Sequence, residues 1–280
     1  MPEGDTIYRV ARTLHRALAG KHVTQFETAL PRLARVDDDS SVAGRMIERV
    51  EAQGKWLLIY FSGDLILLTH MLMSGSWHIY RPGEAWKRRK VHMRIVIGTE
   101  TMVAVAFNVP VAEFHTAASL RRHDGLRKLG PSVLAGELDV AKILANLRAN
   151  PDKEIGAGLL EQSLLAGIGN VFKSEVCFGG GVNPFRRIDS LSIVELSRLV
   201  TTARKFMTAN VAESAPERAV NLDGLRRTTL DFAKEERLWV YGRHGKPCRR
   251  CGTGIEVRRQ QPGARVTFWC PACQPLQPGI

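Results

Sequence analysis

The sequence predicts an α+β multidomain protein: an N-terminal helix, a β-rich sandwich or barrel, a helical region, and a small four-cysteine finger near the C-terminus. Three observations carry this prediction. The 280 residues exceed one ordinary core, because domains usually take about 100–200 residues. Short β-rich runs between residues 54 and 107 give way, after Gly130-Pro131, to apolar positions at helical spacing. Four of the five cysteines crowd the end of the chain as two Cys-x-x-Cys pairs.

The first element is a helix, because Ile7, Val10, Ala11, Leu14 and Leu18 share one face, and Asp5 or Thr6 is its expected N-cap. Strands are expected at 56–61, 65–69, 91–97 and 102–107, separated by turn signals such as Ser62-Gly63-Asp64. The basic stretch Trp86-Lys87-Arg88-Arg89-Lys90 interrupts them, and reads either as a solvated loop or as a phosphate contact. Beyond residue 131, helices are expected at 141–147, 158–165, 171–178 and 193–211. Residues 164–171 read as helix, glycine-permitted turn and a second helix capped by Asn170, a helix–turn–helix unit. Cys177 stands alone in a helical pattern and is expected as a buried apolar residue.

A hydrophobic share of 44% and a charged share of 24% exclude a disordered or collagen-like chain. The 40 Lys+Arg against 28 Asp+Glu leave a net charge of +12 and favour a polyanionic partner, with nucleic acid first. The start of the chain lacks a basic segment followed by an apolar run, and no apolar stretch is long enough to span a bilayer. A soluble, cytoplasmic protein with no membrane partner is expected.

Five cysteines are too few for a disulfide scaffold. The spacing Cys248-x2-Cys251-x18-Cys270-x2-Cys273 instead lets two thiolate pairs close a tetrahedron around one zinc ion. Four thiolates leave no open coordination position, so the metal is structural; a redox pair is the weaker alternative because two such pairs occur together. Between residues 241 and 273, seven basic residues face Glu256 alone, which is half the net charge of +12. A hairpin this small cannot hold that repulsion without a metal, and it is shaped to press arginines onto phosphates; the alternative is a zinc clip with a solvated basic face. Gly167 and Gly169 allow close backbone approach, and Asn170 brings an amide to a helix start, a phosphate clamp.

Pro2 and Glu3 carry the chemistry at the other end. Removal of Met1 makes Pro2 a free secondary amine, able to attack a sugar carbon and form an iminium without a cofactor. The positive end of the helix leaves more of that amine neutral near pH 7. The same field disfavours a neutral Glu3, so burial must oppose it if Glu3 is to serve as the acid.

These residues together resemble the formamidopyrimidine-DNA glycosylase/endonuclease VIII family. The resemblance is carried by Pro2-Glu3-Gly4, the lysine of Gln53-Gly54-Lys55-Trp56-Leu57-Leu58, His70 with Met73-Ser74-Gly75, Gly167-Ile168-Gly169-Asn170 and the four-cysteine finger. It covers almost the whole chain and fails mainly around residues 81–90. It implies a two-sheet β-sandwich behind the N-terminal helix (residues 1–125), a helical domain with a helix–two-turn–helix motif (131–235) and a zinc finger (240–274). It further implies a DNA repair enzyme acting as a monomer on damaged DNA, which flips a base out, cuts its glycosidic bond and nicks the strand by elimination. Carried over residue by residue, Pro2 is the Schiff-base nucleophile and Glu3 the proton donor that opens the deoxyribose ring. Lys55 resembles the family's catalytic-site lysine that holds a phosphate next to the lesion. Asn170 and Arg265 match the phosphate-gripping asparagine and finger arginine, and His70 lies on the DNA side. Leu72 and Met73, in the loop after His70, are the candidates to fill the gap left by the flipped base.

Two departures bear on the substrate. Asp5 and Thr6 replace the usual Pro-Glu, so a carboxylate at position 6 is missing. Phe107-Asn108-Val109-Pro110 lacks the arginine and phenylalanine with which the 8-oxoguanine branch supports the opposite base. The chain therefore resembles the endonuclease VIII branch, which acts on oxidised pyrimidines. The alternative within the family is a formamidopyrimidine/8-oxoguanine glycosylase; outside the enzymes it is a non-catalytic zinc-containing DNA-binding protein.

Overall fold

The computed structural model describes residues 2–212, 226–229, 236–261 and 263–276. They form two compact units, one of residues up to 127 and one of residues from 128 onward.

The first unit opens with α1 (Gly4–Leu18), whose apolar stripe Ile7, Val10, Ala11, Leu14 and Leu18 is buried in the main core. The strands follow: β1 (Gln25–Thr28), β2 (Ile47–Gln53), β3 (Trp56–Phe61), β4 (Leu65–His70), β5 (Ser76–Tyr80), β6 (Met93–Gly98), β7 (Val103–Phe107) and β8 (Val111–His115), with α2 (Pro31–Asp39) between β1 and β2. They make two four-stranded antiparallel sheets, ordered β1-β6-β7-β5 and β2-β3-β4-β8. Leu57, Ile59 and Leu67 of one sheet and Trp77, Ile95, Ile97 and Ala104 of the other join α1 in that core, the alternating inward side of a sandwich. The outward residues Leu58, Tyr60, Ile66 and Leu68 of β3 and β4 are also buried, under α3 (Ala117–Leu120) and α4 (Asp124–Arg127). This explains why those two strands read as continuous apolar runs.

The second unit holds α5 (Val140–Arg148), α6 (Ile155–Leu160), α7 (Asn170–Gly179) and α8 (Ile193–Ala212) around one core, with the antiparallel hairpin β9 (Glu256–Gln260) and β10 (Arg265–Trp269). Cys177 is fully buried there, and burial pushes its thiol up to about 12, which makes it an inert core residue as expected.

The structure corrects several local expectations. The N-cap of α1 is Glu3, neither Asp5 nor Thr6: its extended backbone (φ −121°) turns its carbonyl onto the Ile7 N–H at 3.1 Å. Asp5 is instead a fully buried first-turn residue that accepts the Thr6 hydroxyl at 3.3 Å. The strand expected from residue 91 starts at Met93, because Lys90–His92 forms a 3-10 turn. The helix expected at 158–165 ends at Leu160, because the next backbone groups pair elsewhere: Ala166 N–H donates to Pro131 and Gly130 N–H to Gln162. Gly169, not Asn170, caps α7, and Asn170 is its first helical residue. The part of the expected 131–235 helical domain at residues 213–225 and 230–235 lies outside the described residues.

Candidate active site and nucleic-acid interface

In the first unit Glu3 is 0% exposed at the head of α1, and Pro2 is half-buried next to it. Lys55 sits in the two-residue turn between β2 and β3. Gln53 and Trp56 pair across that turn, and Gly54 supplies the positive φ (+59°) that it demands. Register then carries the chain from Lys55 to His70, since Trp56 is directly opposite His70 in the β3–β4 ladder and their rings meet edge to face at 4.7 Å. Burial, and then the charge of Lys55, pull the His70 imidazole below its ordinary value of 6.5. The neutral ring accepts the Leu72 N–H on Nδ1 at 3.1 Å, so the same histidine fixes the start of the loop beyond it.

That loop is built to present side chains. Met71 is buried in the core, Gly75 N–H closes the turn onto the Met71 carbonyl at 2.8 Å, and a Cβ at Gly75 would come within 2.7 Å of that oxygen. Between them Leu72, with φ +44°, is 47% exposed and Met73 is 68% exposed. Neither side chain is packed in the core. The basic stretch at 86–90 lies between β5 and β6, with Trp86 packed near Phe107 and residues 87–90 exposed.

In the second unit the N-terminal end of α7 meets the finger hairpin. Asn170 is buried, and its Nδ2 donates to the Val266 carbonyl at 2.9 Å, which sets it beside Arg265, an exposed residue at the first position of β10. Its Oδ1 has no hydrogen-bond partner. Asn170 and Arg265, 95 positions apart in sequence, are thus brought together by one backbone carbonyl. The four cysteines converge as well. Cys248 Sγ is 3.9 Å from Cys273 Sγ and Cys251 Sγ is 3.5 Å from Cys270 Sγ, with all four within 4.8 Å. A tetrahedron with Zn–S bonds of about 2.3 Å has edges of about 3.8 Å, so the four sulfurs fit zinc. Backbone N–H groups of Arg250 and Cys273 point at Cys248 Sγ and Cys270 Sγ (3.4 and 3.5 Å), as sulfurs carrying negative charge require.

Sequence reasoning missed the charged residues of α7. Lys173 is fully buried and donates to Thr267 Oγ1 at 2.5 Å and to the Val266 carbonyl at 3.3 Å. Glu175 is fully buried and accepts the N–H groups of Trp239 (2.9 Å), Val240 (2.9 Å) and Tyr241 (2.8 Å), and the Thr228 hydroxyl. These bonds hold the chain entering the finger onto the helix. A signal existed: Lys173 and Glu175 are two charges among Val171, Phe172, Val176, Cys177 and Phe178, a setting that implies buried, partnered charges.

Three known domain families match the chain. Residues 1–110 match the formamidopyrimidine-DNA glycosylase N-terminal domain, residues 129–219 the formamidopyrimidine-DNA glycosylase H2TH domain, and residues 245–276 the zinc finger found in FPG and IleRS. The chain is 41% identical over 277 residues to the probable endonuclease 8 2 of Streptomyces coelicolor, covering 98% of this chain and 94% of that protein. It is 35% identical over 274 residues to the DNA-(apurinic or apyrimidinic site) lyase Nei2 of Mycolicibacterium smegmatis, covering 98% and 99%. Among solved structures, a complex between Lactococcus lactis Fpg and DNA containing an abasic site superposes with a TM-score of 0.80 over 98% of this chain and 99% of that one, at 21% identity, a likeness of fold.

Proposed function

The chain belongs to the formamidopyrimidine-DNA glycosylase/endonuclease VIII family, and from that membership we propose that it is a bifunctional DNA glycosylase/AP lyase of base excision repair whose nucleophile is the Pro2 amine. The observation that supports this most is the head of α1, where Pro2 adjoins a Glu3 withdrawn completely from water.

With Met1 removed, the Pro2 nitrogen lone pair attacks C1′ of the damaged nucleotide, the base leaves with the bonding electrons, and the proton that the nitrogen then gives up neutralises the departing base. Glu3 gives its proton to the ring oxygen O4′, which opens the sugar and leaves an iminium between Pro2 and C1′. The iminium makes a C2′ proton acidic; its loss expels the 3′ phosphate and nicks the strand. Lys55 holds the phosphate next to the lesion, and Asn170 and Arg265 grip the backbone. His70 orders the loop from which Leu72 and Met73 fill the vacated stack. One zinc on Cys248, Cys251, Cys270 and Cys273 keeps the hairpin of β9 and β10 in shape and takes no part in the reaction.

The lesion class is oxidised pyrimidines. Phe107 is covered by Trp86 on the outer face of its sheet and Val109 lies in the main core, 1% and 0% exposed, so the 107–110 segment offers neither an arginine nor an exposed aromatic to a base opposite the lesion. The enzyme acts as a monomer on damaged DNA in the cytoplasm. Among the described residues no helix is long and apolar enough to cross a membrane.

The test is borohydride reduction during reaction with an abasic or oxidised-pyrimidine duplex, on protein whose N-terminal mass has been measured. Chains starting at Pro2 are trapped covalently on DNA, whereas chains retaining Met1, in which Pro2 is an amide, are not and show neither excision nor cleavage. Full activity with Met1 attached overturns the mechanism, and preferred excision of 8-oxoguanine over oxidised pyrimidines overturns the lesion assignment.

A further inference from the structure

Strand β8 and the short helices after it gather three ligand-type side chains that the proposed reaction does not use. Glu113 and His115 are two positions apart on the strand and so share a face, and the turn before α4 brings His123 over them. Glu113 Oε2 lies 3.1 Å from His115 Nε2 and 3.8 Å from His123 Nε2, and the ligand atoms of all three lie within 4.8 Å of one another. A tetrahedral ion with nitrogen and oxygen ligands at about 2.0–2.2 Å sets neighbouring ligand atoms about 3.3–3.6 Å apart, and the two Glu113 separations, 3.1 and 3.8 Å, lie on either side of that spacing.

The protons point the same way. The Ser119 hydroxyl donates to the Thr116 carbonyl (3.2 Å) and accepts the Thr116 N–H (3.0 Å), so toward His115 Nδ1, at 3.2 Å, it is an acceptor. Nδ1 therefore carries a ring hydrogen, which leaves Nε2 as the nitrogen that faces the carboxylate oxygen, an acceptor. A cation bridges two such atoms at that distance, either a proton on Nε2 or a metal ion that displaces it. His123 is held by packing. Its Nδ1 is buried with no hydrogen-bond partner, its ring meets Trp56 edge to face at 5.0 Å, and Gly125 is so close that a Cβ there would lie 2.8 Å from the Trp56 ring and 2.9 Å from the His123 ring. The histidine side chains are 15% and 17% exposed and Glu113 is 40% exposed, so an ion can enter past the carboxylate.

We propose that Glu113, His115 and His123 bind a divalent transition-metal ion of the zinc type, at a site separate from the four-cysteine finger, through a carboxylate oxygen and the two Nε2 atoms. Two imidazoles and one carboxylate suit zinc-type ions and not Mg²⁺ or Ca²⁺, which take all-oxygen sets. The bound ion ties α3 and α4 to β8 and locks His123 against Trp56, whose ring also meets His70.

The test uses the full chain with its finger loaded. Wild-type protein equilibrated with micromolar free zinc is expected to hold two zinc ions per chain by elemental analysis, and His115→Asn with His123→Asn to hold one, while still melting cooperatively. Glu113→Gln is expected to weaken the second ion at least tenfold in competition with a chelating dye. In a Co²⁺ titration of protein whose finger already holds zinc, the Co²⁺ taken up should show only weak ligand-field bands and no thiolate-to-metal charge transfer. The melting temperature should rise on adding the second equivalent in wild type and stay unchanged in the double variant. One zinc per chain in wild type, a second ion bound only at millimolar zinc, or two zinc ions in the double variant overturns the proposal.

Discussion

Replacing Leu72 and Met73 together by alanine separates filling of the DNA stack from packing of the protein. Full burial of such a side chain stabilises by about 1.5–3 kcal/mol. Leu72 is 47% exposed and Met73 is 68% exposed, so the protein's own share in the two is about 1.5 kcal/mol together, and alanine keeps part of it. The positive φ of Leu72 (+44°) is equally awkward for alanine, so no backbone strain is added or released. A change of about 1 kcal/mol moves the melting temperature of a chain this size by about 2–4 °C. Met71→Ala, one residue away but 2% exposed, is the control, with an expected loss of about 2–5 kcal/mol. The exposed parts of Leu72 and Met73 are available to DNA. If they enter the gap left by the flipped base, their loss removes about 2 kcal/mol from that state and slows excision on the order of 30-fold. The assay is single-turnover excision from an intact duplex beside cleavage of a pre-formed abasic site in single-stranded DNA, which has no gap to fill. Slowing on the duplex alone, at nearly unchanged stability, is expected. Equal loss on both substrates, or a melting drop as large as that of Met71→Ala, refutes the wedge.

Three further outcomes follow from the site. Arg265→Ala should lower the slope of log affinity against log salt by about one at unchanged stability, because the exposed guanidinium would meet one phosphate; an unchanged slope removes it from the DNA contact. Cys270→Ser should abolish zinc binding and tight DNA binding together, since structural zinc supplies on the order of 10–16 kcal/mol that this hairpin cannot replace; normal binding by metal-free protein contradicts this. His70 should titrate below 6.5 in an NMR pH series, because burial and then Lys55 disfavour its charged form. The folded state then holds fewer protons than the unfolded one, so this contribution to stability is full above 6.5 and is lost as pH falls through the folded value. Titration at or above 6.5 would place His70 in a different environment.

Local pattern determined what local physics can determine. The 3.6-residue stripe of α1, the apolar runs that became β3 and β4, and the cysteine spacing were each readable because the signal lies within a few residues of its cause. β1, whose four residues alternate between exposed and half-buried, and β8, whose five residues are all half-buried, carried too little apolar signal to be read; they are strands because β6 and β4 pair with them. The cap of α1 fell to Glu3 because burial of Asp5 outweighed its capping preference. The candidate sites divide in the same way. Sequence named Pro2, Glu3, Lys55, Asn170, Arg265 and the cysteines as types in order. Only tertiary structure set Trp56 between His70 and His123, joined Asn170 to Val266 and bound Glu175 to the backbone at 239–241. Such contacts are made by strand register and by closing loops of tens of residues, and a periodicity read along the chain contains neither.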